Sequence, residues 1–103
     1  MSAGIKTLAQ ISVGTTAVTA GGSQECTSLI FSADAGNANK VYIGDANVSP
    51  TRYSVALTAG QNYTYVAYDT KGPGFTQLNI NKFYVYGGAA AQLVYVSYLE
   101  RGG

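Results

Sequence analysis

The sequence predicts an all-β fold: an antiparallel β-sandwich, jelly-roll-like, with about eight short strands, and an immunoglobulin-like sandwich as second candidate. Three observations carry this expectation. Strand-length runs of β-branched and aromatic residues recur at roughly ten- to fifteen-residue intervals. Gly-, Asn- and Ser-rich stretches separate them. Helix signals are nearly absent, because the one helix-tolerant stretch, Ser32 to Lys40, is broken by Gly36, Asn37 and Asn39 and reads as a loop. At 103 residues, one domain spanning 1–103 is the natural count.

In Ile5 to Val13, the residues Ile5, Thr7, Ala9, Ile11 and Val13 alternate with Lys6, Leu8, Gln10 and Ser12, which predicts one strand with two distinct faces. Thr15 to Ala20 is a weaker strand around Val18, followed by a turn at Gly21-Gly22-Ser23. Cys26 to Ala33, centred on Leu29-Ile30-Phe31, is the third. Lys40 to Gly44 is the fourth, closed by a turn at Gly44-Asp45-Ala46-Asn47. Arg52 to Thr58 is the fifth, with Tyr53, Val55 and Leu57 alternating against Arg52, Ser54 and Ala56. Ala59 to Asn62 is a tight connection into a sixth strand, Tyr63 to Tyr68. Lys71-Gly72-Pro73-Gly74 is a loop and Phe75 to Ile80 a short extended segment. Lys82 to Tyr86 and Gln92 to Leu99, flanking Gly87-Gly88-Ala89-Ala90-Ala91, predict a closing hairpin. Residues 100–103 read as a frayed tail. The expected core is Ile11, Leu29, Phe31, Val41, Ile43, Val55, Leu57, Phe83, Val85, Val94 and Val96.

Charged residues are 11% of the chain, against about 25% in an average soluble domain. Either hydroxyls and amides keep the surface wet, or much of it faces another protein, since interface cores are depleted in Lys, Glu and Asp and enriched in Tyr. The six basic residues are scattered and the net charge is +1. No basic cluster marks a nucleic-acid or anionic-membrane surface. The opening Met1-Ser2-Ala3-Gly4 leads into a polar alternation without the apolar stretch of a secretory signal, and no run is long enough for a membrane span. Synthesis and retention in a cytoplasm until assembly is the expectation. Cys26 is the single cysteine, so no intrachain disulfide is possible, and it reads as a small buried apolar residue.

Chemistry-bearing patterns are missing. There is no histidine, which removes His-type metal sites and Ser/His/Asp triads. Asp34, Asp45 and Asp69 match no calcium-loop spacing, and Asp45 with Asn47 reads as a turn bonding its own backbone. The Gly21-Gly22, Gly72-Pro73-Gly74 and Gly87-Gly88 stretches read as hairpin turns rather than phosphate loops. No catalytic residue, cofactor or metal site is expected, and the chain does not read as an enzyme.

Nine tyrosines remain. By strand alternation Tyr63 and Tyr65 share a face, as do Tyr84 and Tyr86. Cross-strand aromatic pairs stabilise a sheet by about 0.2–1 kcal/mol each. The same residues also suit a subunit interface or a glycan-stacking surface. These four tyrosines, with Ile5 and Leu8 of the first strand, are the candidate interaction residues.

Three segments resemble a known pattern: Lys40-Val41-Tyr42-Ile43-Gly44-Asp45 with Val48-Ser49; Val55 to Thr64, around Leu57, Gly60 and Thr64; and Leu78 to Gly87 followed by Val94 to Tyr98. Together they are similar to small structural proteins of tailed bacteriophages, of the head-decoration or cement type. The resemblance covers about Leu29 to Leu99 and encodes strands and turns rather than catalytic residues. It implies a virion protein, made in the host cytoplasm, that binds the major capsid protein on the outside of the head as a homotrimer and stabilises the lattice. Residues 1–13 would then serve as an extended arm. The alternative is a glycan- or receptor-binding β-sandwich module of a phage fibre, spike or tail, marked by a row of exposed aromatics or a groove with convergent Asp and Asn.

Overall fold

The computed structural model describes residues 5–8, 10–66 and 78–99. It contains β1 (Ile5–Thr7), β2 (Ile11–Val13), β3 (Val18–Thr19), β4 (Glu25–Cys26), β5 (Ser28–Ala33), β6 (Val41–Gly44), β7 (Val55–Leu57), β8 (Asn62–Val66), β9 (Leu78–Asn79), a 3-10 turn (Ile80–Lys82), β10 (Tyr84–Gly87) and β11 (Gln92–Leu99). No α-helix occurs among the described residues, and every strand pairing is antiparallel. The protein is an all-β sandwich, as its pattern predicts.

The first sheet has the order β1-β11-β5-β8, with β2 also on β11; the second has the order β3-β10-β6-β7. A short β4-β9 ribbon lies between them in sequence and links their ends. The pairings nest: the N-terminal strands on β11, β3 on β10, β5 on β8, β6 on β7. The chain thus doubles back on itself as one long hairpin with its tip at the β6–β7 connection, and the β11–β5 and β10–β6 pairings close it into two sheets. Winding of that kind is what a jelly roll would require.

The core lies between the inner faces. Burial alternates strictly along β5 and β11, so Leu29, Phe31 and Ala33 lie beside Tyr98, Val96 and Val94 on the inner face of the first sheet. Val41, Ile43, Leu57 and Val85 come from the second sheet. Eight of the eleven expected core residues are fully buried, while Ile11, Val55 and Phe83 pack partly buried against them. Val13, Ala20, Cys26 and Ile80 complete the cluster. The Phe31 ring meets Tyr65 edge-on at 5.8 Å and Phe83 at 5.9 Å.

Several expectations are corrected. Lys82–Tyr86 and Gln92–Leu99 do not form a hairpin, because β10 and β11 lie in different sheets. The Gly87–Ala91 connection crosses the sandwich, and Gly87 N–H donates to the Gly14 carbonyl at 2.8 Å instead of turning back on β11. Gly87-Gly88 is therefore not a hairpin turn. The strand Ile5 to Val13 is interrupted. Its register on β11 slips by one residue between Thr7↔Ser97 and Ile11↔Val94. Such a slip is a β-bulge and exchanges the two faces. Ile11 and Val13 face inward, whereas Ile5 is 58% exposed. The described part of this segment lies along β11 as a sheet edge. In Arg52 to Thr58 only Val55–Leu57 is strand, because Arg52 closes a turn on Ser49 through backbone bonds of 2.8 and 3.0 Å. That turn takes Tyr53 out of the alternation. Leu78 to Phe83 bends through the 3-10 turn, capped by Asn79, whose side chain accepts from the Asn81 N–H. The expected Lys71–Gly74 loop, the first half of the Phe75 to Ile80 segment and the tail lie outside the described residues.

Candidate interaction surfaces

The expected interaction residues do not form one patch. Tyr63 and Tyr65 do share a face, with ring centroids 4.9 Å apart, but it is the inner face of the first sheet. Tyr65 packs on Phe31 and on Phe83 at 5.0 Å, and Tyr63 sits at the open rim. Burial holds the Tyr65 phenol above its ordinary range; its hydrogen bond to Ser54 opposes this and neighbouring Tyr63 adds to it. Tyr84 and Tyr86 share the outer face of the second sheet, in register with Gly44 and Tyr42. Leu8 is drawn onto the core, lying beside Gly21 and Ile80. Ile5 is exposed on the outside of the first sheet.

That outer face is the most distinctive surface of the molecule. Strand register aligns Ile5, Leu99, Ser28 and Val66 in one cross-strand row and Thr7, Ser97, Ile30 and Thr64 in the next. Tyr95, Ser32 and Asn62 form a third. Apolar, hydroxyl and amide side chains are interspersed, and none of these outward positions carries a charge. Asp34 stands at the rim, where its carboxylate accepts from the Tyr95 hydroxyl at 2.9 Å and the Gly36 N–H at 2.8 Å.

The two edges of this sheet differ. One edge carries the bulge and Lys6, both devices that discourage pairing with another chain. The other is β8, paired only with β5 among the described residues, in unbroken register. Its sequence Asn62-Tyr63-Thr64-Tyr65-Val66 has no charge, no proline and no bulge.

A second feature lies at the hairpin tip. Asp45 accepts from Asn47 N–H at 2.9 Å, the turn its spacing predicts. The chain then closes the Ser49–Arg52 turn and returns to the sheet where Ser54 N–H donates to the Ile43 carbonyl at 2.7 Å. This brings Asp45, Arg52, Tyr53 and Ser54 around Gly44 and a cavity of about 250 Å³. Sequence reasoning placed Arg52 and Tyr53 in a strand and missed this convergence. The Ser49-Pro50-Thr51 turn signal was the available clue.

Among the described residues no group of acidic or thiol side chains is placed to hold a metal ion. Cys26 is fully buried, and burial pushes its thiol above the ordinary range. No described helix is long and apolar enough to cross a membrane. No protein-family model, curated protein or solved structure matches the chain.

Proposed function

We propose that this chain is a virion structural protein, a head-decoration or cement protein of a tailed bacteriophage. In this reading it binds the major capsid protein on the outside of the head, as a homotrimer, and holds neighbouring capsomers together. The observation that supports it is the uncharged outer face of the first sheet, running without interruption into the β8 edge, which pairs only with β5 among the described residues. An edge of that kind accepts a further strand through its free backbone groups, and an uncharged face of hydroxyls and apolar side chains covers without stranding a charge. Several such weak contacts on a repeating lattice add through avidity.

The test is native mass across a dilution series, followed by co-sedimentation with the heads of the virus that encodes the chain. A trimer persisting on dilution, and saturable binding to heads, is the expected result. A strict monomer that does not sediment with heads rejects the reading.

A further inference from the structure

We propose that the β6–β7 tip is a saccharide-binding subsite, taking one neutral pyranose ring against Tyr53 with its hydroxyls bridging Asp45 and Arg52. The inference concerns a different surface from the assembly face and does not rest on that reading.

Three observations define the ligand. First, Tyr53 is half exposed and lines the cavity, with the Tyr42 ring tilted against it at 5.1 Å and 48°. An exposed aromatic packed on a neighbouring ring can serve as a platform for the C–H face of a sugar, and that packing removes part of the ordering cost of binding. Second, the Arg52 guanidinium stands 3.7 Å from the Asp45 carboxylate, beyond hydrogen-bond length. Both side chains are largely exposed, at 66% and 62%, and a ligand hydroxyl that reaches both can accept from Arg52 while donating to Asp45. Their charges offset, which disfavours an anion or a cation and favours a neutral ligand rich in both donors and acceptors. Third, Gly44 floors the cavity, which at about 250 Å³ lies just below the roughly 300–1,000 Å³ of sites for larger ligands. That size suits a single ring. The larger concavity, about 440 Å³ among Asn37–Lys40, Thr58 and Ala59, has neither an aromatic wall nor a charge pair.

The Asp45 carboxylate accepts from the Asn47 N–H, the backbone at Arg52 is set by the turn on Ser49, and the Ser54 hydroxyl accepts from the Tyr65 hydroxyl at 3.1 Å.

Uniformly ¹⁵N-labelled full chain, titrated with D-glucose, D-galactose, D-mannose and N-acetyl-D-glucosamine up to about 100 mM each, tests the proposal by amide chemical shift. Millimolar, saturable shifts at Gly44, Asp45, Tyr53 and Ser54 with at least one sugar are expected. Tyr53→Ala should weaken binding at least about tenfold, and Arg52→Met similarly, while Tyr53→Phe, which keeps the ring, should stay within about threefold. Tyr53 is exposed, so its spectrum will show directly that the variant is folded. No saturable shift with any of the four sugars overturns the proposal, as do shifts that survive Tyr53→Ala or that map to other residues.

Discussion

Replacing Gly87 with alanine should unfold this protein far more readily than a glycine-to-alanine change in a strand normally would. A Cβ at Gly87 would lie 2.9 Å from the Ala89 carbonyl oxygen, 3.0 Å from that of Val13 and 3.2 Å from that of Gly14. All three are backbone atoms, and the Gly14 carbonyl is held at 2.8 Å by the Gly87 N–H itself, so none can yield cheaply. Overpacking of this kind costs about 3 kcal/mol. The lost backbone freedom of glycine offsets up to about 1 kcal/mol. The net loss is about 2 kcal/mol, which for a domain of this size lowers Tm by roughly 8–16 °C and the urea midpoint by about 1 M. Gly22→Ala is the control: nothing lies within 4 Å of its Cβ, and the change should leave stability equal or raise it by up to about 1 kcal/mol. Thermal and urea unfolding followed by circular dichroism read both. If Gly87→Ala matched Gly22→Ala, Gly87 would not approach Val13 and Gly14, and β10 and β11 would pair as the hairpin their pattern suggests.

Phe31→Ala removes the ring that joins Tyr65 and Phe83 at the centre of the core and should cost about 3–5 kcal/mol, close to the whole stability of a marginal domain, measured as lost cooperativity or midpoint in urea. Stability should decline at alkaline pH. Burial raises both the Cys26 thiol and the Tyr65 phenol, so the unfolded chain ionises first, and their contribution is complete below the ordinary values of 9.0 and 10.0 and is lost as pH rises through the raised ones. A urea midpoint unchanged from about pH 8 to 11 would contradict this, and Cys26→Ala should remove the earlier part of the decline. Thr64→Lys places a charge in the middle of β8, the strand that has one partner, β5, among the described residues. It should convert an oligomer to monomer while shifting stability by no more than about 0.5 kcal/mol, and an oligomer that survives it uses some other surface.

Alternation made much of the interior legible. Along β5 and β11 it assigns Leu29, Phe31, Val94 and Val96 to the core without any knowledge of the partner strand. It does not say which sheet a strand joins. Tyr84–Gly87 and Gln92–Leu99 each alternate cleanly, and a pair in one sheet would look the same in sequence as a pair in two. The deciding fact, the approach of Gly87 to Val13 and Gly14, is a contact across more than seventy residues. Ile5 to Val13 shows the converse failure. A single bulge reverses the faces, so a regular pattern predicted Ile5 and Val13 together when the fold separates them. Asp45 was readable as a turn because its partner Asn47 is two residues away. The cavity beside it was not, because Tyr53 meets Tyr42 only after the Ser49–Arg52 turn has reversed the chain.

A two-sheet sandwich presents two outer faces with a packed core between them, and in this chain they carry opposite chemistry. Among the described residues the first sheet is uncharged at its outward positions and ends on β8 at one edge. On the second, Asp45 and Arg52 sit at the hairpin tip and tyrosines cover the strands. Thr64 lies on the outer face of β8 and Tyr53 in the turn that leads to β7; the Tyr65–Ser54 hydrogen bond that connects their neighbours leaves from the inner face of β8, so a change at Thr64 does not touch it. Substitutions that share no direct partner add. Thr64→Lys should therefore abolish oligomerisation while leaving sugar-induced shifts at Gly44 and Ser54 intact, and Tyr53→Ala should do the reverse. The double variant should show both losses at the size each has alone. A sugar affinity that changed with Thr64→Lys would mean that subunit contacts reach the tip, placing the cavity at a junction between copies rather than on a free face.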